Sequence, residues 1–184
     1  MKDKGTQRLA DTPTTFRDTL NPDNYIALPM VSSERRRYIP MAYFHGDTIP
    51  TNQVQIIPDA TLYHFGILES NVHMAWMRAV CGRLKSDYRY SKDVVYNNFP
   101  WPNPTDEQRT KIEQTAQAIL DARALYPDSS LADLYDELTM PVELRRAHQD
   151  NDRAVMAAYG FPIKTMTESQ CVAELFKLYQ QLTK

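Results

Sequence analysis

At 184 residues, with 42% hydrophobic and 24% charged side chains, the chain is long enough to bury a core and too ordinary in composition to be disordered. Its net charge of −2 excludes a polybasic tail, and no run approaches the ~20 apolar residues of a membrane span. The charge is nonetheless uneven. Residues 1–100 carry 12 basic against 10 acidic side chains, residues 101–184 carry 9 against 13, and the stretch from Val31 to Lys92 carries 8 against 5, enough for a phosphate-facing surface.

The first 13 residues, MKDKGTQRLADTP, lack the apolar core of a secretory leader and read as a linker or tail from a longer parent. Asn24 to Ser32 reads as a strand, with Pro29 marking an edge or a bulge. A turn at Ser33 and Glu34 leads to a second strand from Arg37 to Phe44, so the pair forms a hairpin. Arg35, Arg36 and Arg37 cluster at its tip, where they either contact phosphates with Ser33 or form a solvated basic turn. His45-Gly46-Asp47 is a turn, and Asn52 to Ile57 is a third strand ended by Pro58. From Ala60 the period changes: Leu62, Phe65, Leu68, Val72, Ala75, Trp76, Ala79 and Val80 recur at three and four, the pattern of a helix lying on a sheet. Asp59 or Thr61 caps it, Gly66 and Asn71 are candidate interruptions, and Gly82 is its stop.

Side chains alternate along a strand, so in RLKSDYRY the residues Lys85, Asp87 and Arg89 would share one face at steps of about 6.6 Å. Leu84, Ser86, Tyr88 and Tyr90 would take the other. A lysine donates to the two acceptors of guanine and an aspartate accepts from the cytosine amino group, so Lys85 and Asp87 together can read one G·C pair in a major groove. The competing reading is an exposed strand face of mixed charge that merely forms salt bridges. The strand from Tyr88 to Tyr96 runs into Asn97-Asn98-Phe99-Pro100-Trp101-Pro102-Asn103-Pro104, whose prolines forbid helix and central strand alike. It reads as a stiff linker, anchored by its rings to the preceding sheet, and as the boundary between a domain of residues 14–100 and one of residues 101–184.

The remainder of the chain is helical. Thr105 with Gln108 forms a capping box before a helix to Tyr126, with Ile112, Ala116, Ile119, Leu120 and Arg123 on one stripe. A short helix from Leu131 to Leu138 precedes Pro141, which opens a third whose inward face is Leu144, Ala147, His148, Asn151, Val155 and Ala158. Thr167 with Gln170 caps the last, with Val172, Leu175, Phe176, Tyr179 and Leu182 at helical spacing. The fold class is therefore α+β: a small antiparallel sheet packed with a helix, then a four-helix, all-α domain.

The chemistry of a catalyst is missing. Gly5, Gly46, Gly66, Gly82 and Gly160 never cluster into a cofactor turn, and Asn98-Phe99-Pro100-Trp101 lacks the paired prolines of an adenine-holding loop. Pro58-Asp59 and Pro127-Asp128 have no downstream acid and lysine of a nuclease. His45, His64, His73 and His148 show no ligand spacing with Cys81 or Cys171, and the two cysteines read as free thiols in a reducing cytosol. Glu143, Arg145, Arg146, Asp150 and Asp152 read as a solvated helix face.

Three ordered motifs carry a resemblance. SSERRRYIP (32–40), GRLKSDYRYSKDVVYNNFPWP (82–102) and MPVELRRAHQDNDRAVMAAYGF (140–161) resemble the C-terminal end of MmeI-like DNA methyltransferases, single-chain restriction-modification enzymes that join nuclease, adenine methyltransferase and target recognition. The resemblance implies a DNA target-recognition domain over residues 14–100 followed by a helical C-terminal domain. It assigns base readout to Lys85 and Asp87 with Arg89 beside them, and phosphate contact to Ser33, Arg35, Arg36 and Arg37. It implies double-stranded DNA and the methyltransferase domain of the same parent chain as partners, no membrane, a cytoplasmic setting, and S-adenosylmethionine as cofactor of the parent alone. The alternative is a protein-interaction module whose helical bundle docks on a partner, with the basic hairpin incidental.

Overall fold

The computed structural model describes residues 22–183 other than Asp47, Ile49 and Asn52, together with Ala10; the tail expected over residues 1–13 lies otherwise outside the described residues. Among the described residues six strands and six α-helices follow one another: β1 (Asn24–Pro29), β2 (Val31–Ser32), β3 (Ala42–His45), β4 (Val54–Pro58), α1 (Leu62–Leu68), α2 (Asn71–Val80), β5 (Gly82–Leu84), β6 (Asp87–Arg89), then α3 (Asp106–Ala124), α4 (Leu131–Leu134), α5 (Val142–Ala158) and α6 (Glu168–Leu182). The class is α+β, with two three-stranded antiparallel sheets, ordered β3-β1-β4 and β2-β6-β5.

The expected strand of residues 24–32 splits between these sheets. Pro29 cannot donate to a ladder, and past it the chain changes partner: Met30 accepts from the Tyr90 amide at 3.0 Å. The hairpin expected from the first two strands forms between β1 and β3, with Ala27 opposite Ala42 and Asn24 opposite His45. Its second arm is shorter than expected. Tyr38, Ile39 and Met41 are all buried, which a half-exposed strand does not allow, and the Met41 amide bonds a carboxylate instead of a strand partner.

That carboxylate also explains why the long helix of residues 60–80 is two helices. Glu69 ends α1 and turns inward, while the Ser70 hydroxyl accepts from the His73 amide at 3.3 Å and restarts the chain as α2. Glu69 Oε1 accepts from the Met41 amide at 2.9 Å and from Arg123 Nη2 at 2.8 Å. Arg123 Nη1 donates to the Met41 carbonyl at 2.7 Å, and its remaining nitrogens bond the Tyr135 hydroxyl. Tyr135 donates in turn to His148 Nε2 at 2.7 Å, leaving His148 Nδ1 to donate to the Glu69 carbonyl at 3.2 Å. Loop, helix break and C-terminal helices thus close around one guanidinium.

The four C-terminal helices are present with both expected capping boxes, Thr105 with Gln108 and Thr167 with Gln170. α3 packs on α5 and on α1, where Gly66 admits the close approach: a Cβ there would stand 2.7 Å from Ile112 Cγ2. Asn151 ties the three together, donating to the Gly66 carbonyl at 2.7 Å and accepting from Thr115 Oγ1 at 3.0 Å. α5 ends in a Schellman turn, with Gly160 at φ +69° and bonds from Phe161 N to Met156 O and from Gly160 N to Ala157 O. The last helix lies on α2 rather than in a closed bundle, holding Trp76 against Phe176 and Tyr179. One buried core therefore runs from β1 through both helical groups.

Burial pushes the Glu69 carboxyl up to about 7, and Arg123 draws it down. Replacing Arg123 by Met leaves a buried carboxylate without its counter-charge and should cost about 3–5 kcal/mol. Because the loss raises the folded-state pKa of Glu69 further above its unfolded value, the variant's folded state gains stability as pH falls. Urea midpoints should therefore show a smaller deficit at pH 5 than at pH 8, and adding Glu69→Gln should recover part of it.

Candidate nucleic-acid interface

Residues 82–89 are not the single strand that alternation predicts. They form a hairpin in which Leu84 faces Asp87, Arg83 faces Tyr88 and Gly82 faces Arg89, with Lys85 and Ser86 as its two turn residues. Lys85 is at φ +57°, the left-handed region, as the first central residue of the turn. No glycine or asparagine announces that turn, which is why side-chain alternation alone runs straight through it. Lys85 therefore does not share a face with Asp87 and Arg89 as alternation predicts: it stands at the apex of the hairpin, whereas Asp87 and Arg89 do share one face of β6. Leu84, Gly82 and Val31 lie on that face by register, and Leu84 is 50% exposed. The opposite face carries Arg83, the buried Tyr88 and the buried Ser32.

The Lys85 and Arg89 side chains are exposed and make no hydrogen bond or ion pair among the described residues, while the Arg89 backbone is paired in the sheet with Gly82 and Val31. Asp87 is half-buried, with Oδ1 3.4 Å from the Glu34 amide. That contact brings together the two expected groups, the hairpin and the arginine loop. Within the loop Ser33 is partly spent on the turn itself: its hydroxyl accepts from the Arg35 amide at 3.3 Å and its carbonyl from the Arg36 amide at 3.1 Å. Arg35 and Arg37 are exposed, Arg36 is half-buried, and Arg37 lies over the Tyr38 ring at 5.7 Å. Arg78 holds the loop to α6, donating to the Arg37 carbonyl at 3.3 Å and gripping Glu168 with two bonds of 2.7 and 3.0 Å. Asp136 and Glu137 share a hollow of about 360 Å³ with Arg35, Arg36 and Asp87, so the basic loop is bordered by acid on its C-terminal side.

The loop rests on residues that the sequence pattern assigns to solvent. Asp152 is buried, not part of a solvated face: it accepts from the Tyr38 hydroxyl at 2.7 Å and from the Asn71 amide at 2.7 Å, at the electropositive start of α2. Burial pushes its carboxyl up to about 6. The signal in the sequence is its place four residues after inward-facing His148, one turn along the same stripe. His148 stacks on Tyr38 at 4.1 Å, and burial holds it neutral by lowering its pKa well below the usual value.

Beyond β6 the expected strand to Tyr96 becomes one π-helical turn, Lys92–Tyr96. Its carbonyls have other takers: Asn98 Nδ2 donates to those of Asp93 and Val94 at 2.7 and 3.2 Å, and Trp76 Nε1 to that of Val95 at 3.0 Å. Phe99 is buried edge-on to His73 at 4.8 Å, and Tyr159 donates to the Pro100 carbonyl at 2.8 Å. The rings of the Asn-Asn-Phe-Pro-Trp-Pro run are thus taken up in packing, with Trp101 against Tyr63, Tyr96 and Phe99.

Comparison with known proteins bears on this surface. Residues 1–103 match the model of the MmeI target recognition domain, and residues 104–184 that of the MmeI C-terminal domain. The chain is 46% identical over 182 residues to DNA methyltransferase A of Bacillus subtilis (strain 168), covering 98% of itself and 20% of that protein. It also superimposes, with a TM-score of 0.89 and 46% identity, on the type IIL restriction-modification enzyme MmeI solved in complex with DNA, covering 100% of itself and 24% of that chain. The chain thus spans about a fifth to a quarter of these relatives.

A lysine in the left-handed region is strained where glycine is not. Lys85→Gly should therefore leave the fold intact and raise its stability by up to about 1 kcal/mol in chemical denaturation, while removing the exposed ammonium.

Proposed function

Because the chain belongs to the MmeI family, carrying its target recognition and C-terminal domains, we propose that it is the sequence-reading part of a larger, S-adenosylmethionine-dependent adenine (N6) DNA methyltransferase of the restriction-modification type. Methyl transfer and cofactor binding belong to the methyltransferase domain of that parent, which this part docks against in the cytoplasm. The observation that carries the reading is the pairing of a hairpin, whose Lys85 and Arg89 side chains are exposed and unbonded among the described residues, with an arginine loop one hydrogen bond from Asp87. A two-stranded ribbon fits the major groove. Asp87 accepts from a cytosine amino group, Lys85 donates to the partner guanine from the turn, and Arg89 contacts the neighbouring base or orients Asp87. Ser33, Arg35, Arg36 and Arg37 hold the phosphates beside them, setting register without reading sequence.

The C-terminal helices favour a second contact of the same molecule. Leu125, Leu138 and Val142 are exposed, with Leu138 at 94%, and in this reading they meet the methyltransferase domain. A pure protein-interaction module would use this side alone, and its affinity for duplexes would be negligible.

Duplex binding measured against salt separates the two. Three arginine contacts to phosphate should give a log–log slope of roughly −2.7, and replacing Arg35, Arg36 and Arg37 by Ala should remove most of it. Among duplexes selected from a randomised pool, Lys85→Glu with Asp87→Arg should change the preferred base pair at one position and leave the others. An unchanged preference at every position rejects readout by this pair; absence of duplex binding rejects the DNA reading altogether.

A further inference from the structure

We propose that Arg83 is a positioning residue for sequence reading: from the face of the hairpin turned away from the readout residues, it braces the turn that carries Lys85. The inference rests on the readout proposed above. Three contacts of one side chain support it. Arg83 Nη1 donates to the Ser86 carbonyl at 2.8 Å, closing the turn from β5 back onto its far side. Its guanidinium lies 4.1 Å from the centre of the Tyr88 ring, and Tyr88 is buried, so the brace has a fixed floor. The same nitrogen stands 3.8 Å from Glu34 Oε2, and the Glu34 amide is the group that approaches Asp87 Oδ1.

Register separates this side chain from the reading edge. Arg83 pairs with Tyr88, while Leu84 with Asp87 and Gly82 with Arg89 point the other way, so a duplex lying on the Asp87–Arg89 face is not touched by Arg83. Its effect has to pass through the backbone of Lys85 and Ser86. That backbone needs holding, because Lys85 sits at φ +57° without the glycine that makes such a turn relaxed. A rigid apex aims one ammonium at one base edge; a loose apex reaches several. Bracing therefore acts on discrimination more than on affinity.

The test uses this chain on four duplexes that differ only at the base pair whose preference follows the Lys85/Asp87 exchange. Arg83→Ala should reduce the preference at that pair by about tenfold. The salt slope should stay as it was. Glu34→Gln, which removes the outer partner of the brace, should act in the same direction and less. If Arg83→Ala weakens all four duplexes equally and lowers the slope by about one, Arg83 is a phosphate contact and the positioning role is wrong. Retention of the full preference by a variant that unfolds at the wild-type temperature overturns it as well. A chain whose preference ignores the Lys85/Asp87 exchange fails at the earlier reading, and a chain that binds no duplex removes both.

Discussion

The contact between Arg123 and Glu69 is the constraint from which the arrangement of this molecule derives. Both groups are withdrawn from water, and an isolated charge there would be prohibitive, so the guanidinium and Glu69 Oε1 draw their partners from several segments at once, while Glu69 Oε2 has no hydrogen bond among the described residues. Those partners lie on the loop at Met41, on the break between α1 and α2, and on the C-terminal segment at Tyr135 and His148. A buried ion pair is weak evidence of net stability, since an apolar pair of the same volume often does as well. It is strong evidence of registry. Only one relative placement of the recognition half and the helical half satisfies the guanidinium, and the arginine loop leaves the core a few residues before Met41. The position of the proposed phosphate contacts is therefore set by a group on the far side of the boundary between the two family domains.

The shared ion pair changes what the helical half is for. Seen as a sequence, residues 104–184 are four amphipathic helices with caps, a self-sufficient bundle. In the structure they share a core with the sheets: Asn151 reaches Gly66, Asp152 reaches Tyr38 and the start of α2, and α6 holds Trp76. Helices that close their own bundle would need no such reach. They serve instead as a backing that holds α1, α2 and the arginine loop in place.

Most of the scaffold is legible in the sequence because it obeys local rules. The capping boxes, the stop at Gly160, the period of α3 and α5 and the β1–β3 hairpin all come from spacing and cap chemistry. The features that escape are decided by tertiary partners. The helix break falls beside Asn71, one of the two candidate interruptions, but its cause is not legible: Glu69 turns inward to an arginine more than fifty residues away. Asp152 looks solvated by type and is buried by position. The hairpin turn at Lys85 and Ser86 carries neither glycine nor asparagine at its left-handed position, so alternation extends across it; the charges are legible and their geometry is not. The strand expected over Tyr88 to Tyr96 is lost to Asn98 and Trp76, whose side chains supply hydrogen bonds that favour a π turn over a ladder.

The same separation of roles governs how such a surface can change. The side chains of Lys85 and Arg89 bond nothing among the described residues, so their replacement disturbs neither core nor sheet, and in the proposed readout their identity is free to follow the DNA. Tyr88, Tyr38, Asp152 and Glu69 are bonded or packed on every side and cannot vary without consequence for the fold. Asp87 and Arg83 stand between these classes: partly exposed, yet tied by Glu34 and Ser86 to loop and turn. If the proposed readout holds, altering the exposed pair changes what is contacted, whereas altering the tied pair changes how firmly the contact is aimed. A specificity change that keeps its sharpness must therefore substitute the tip and leave the brace beneath it in place.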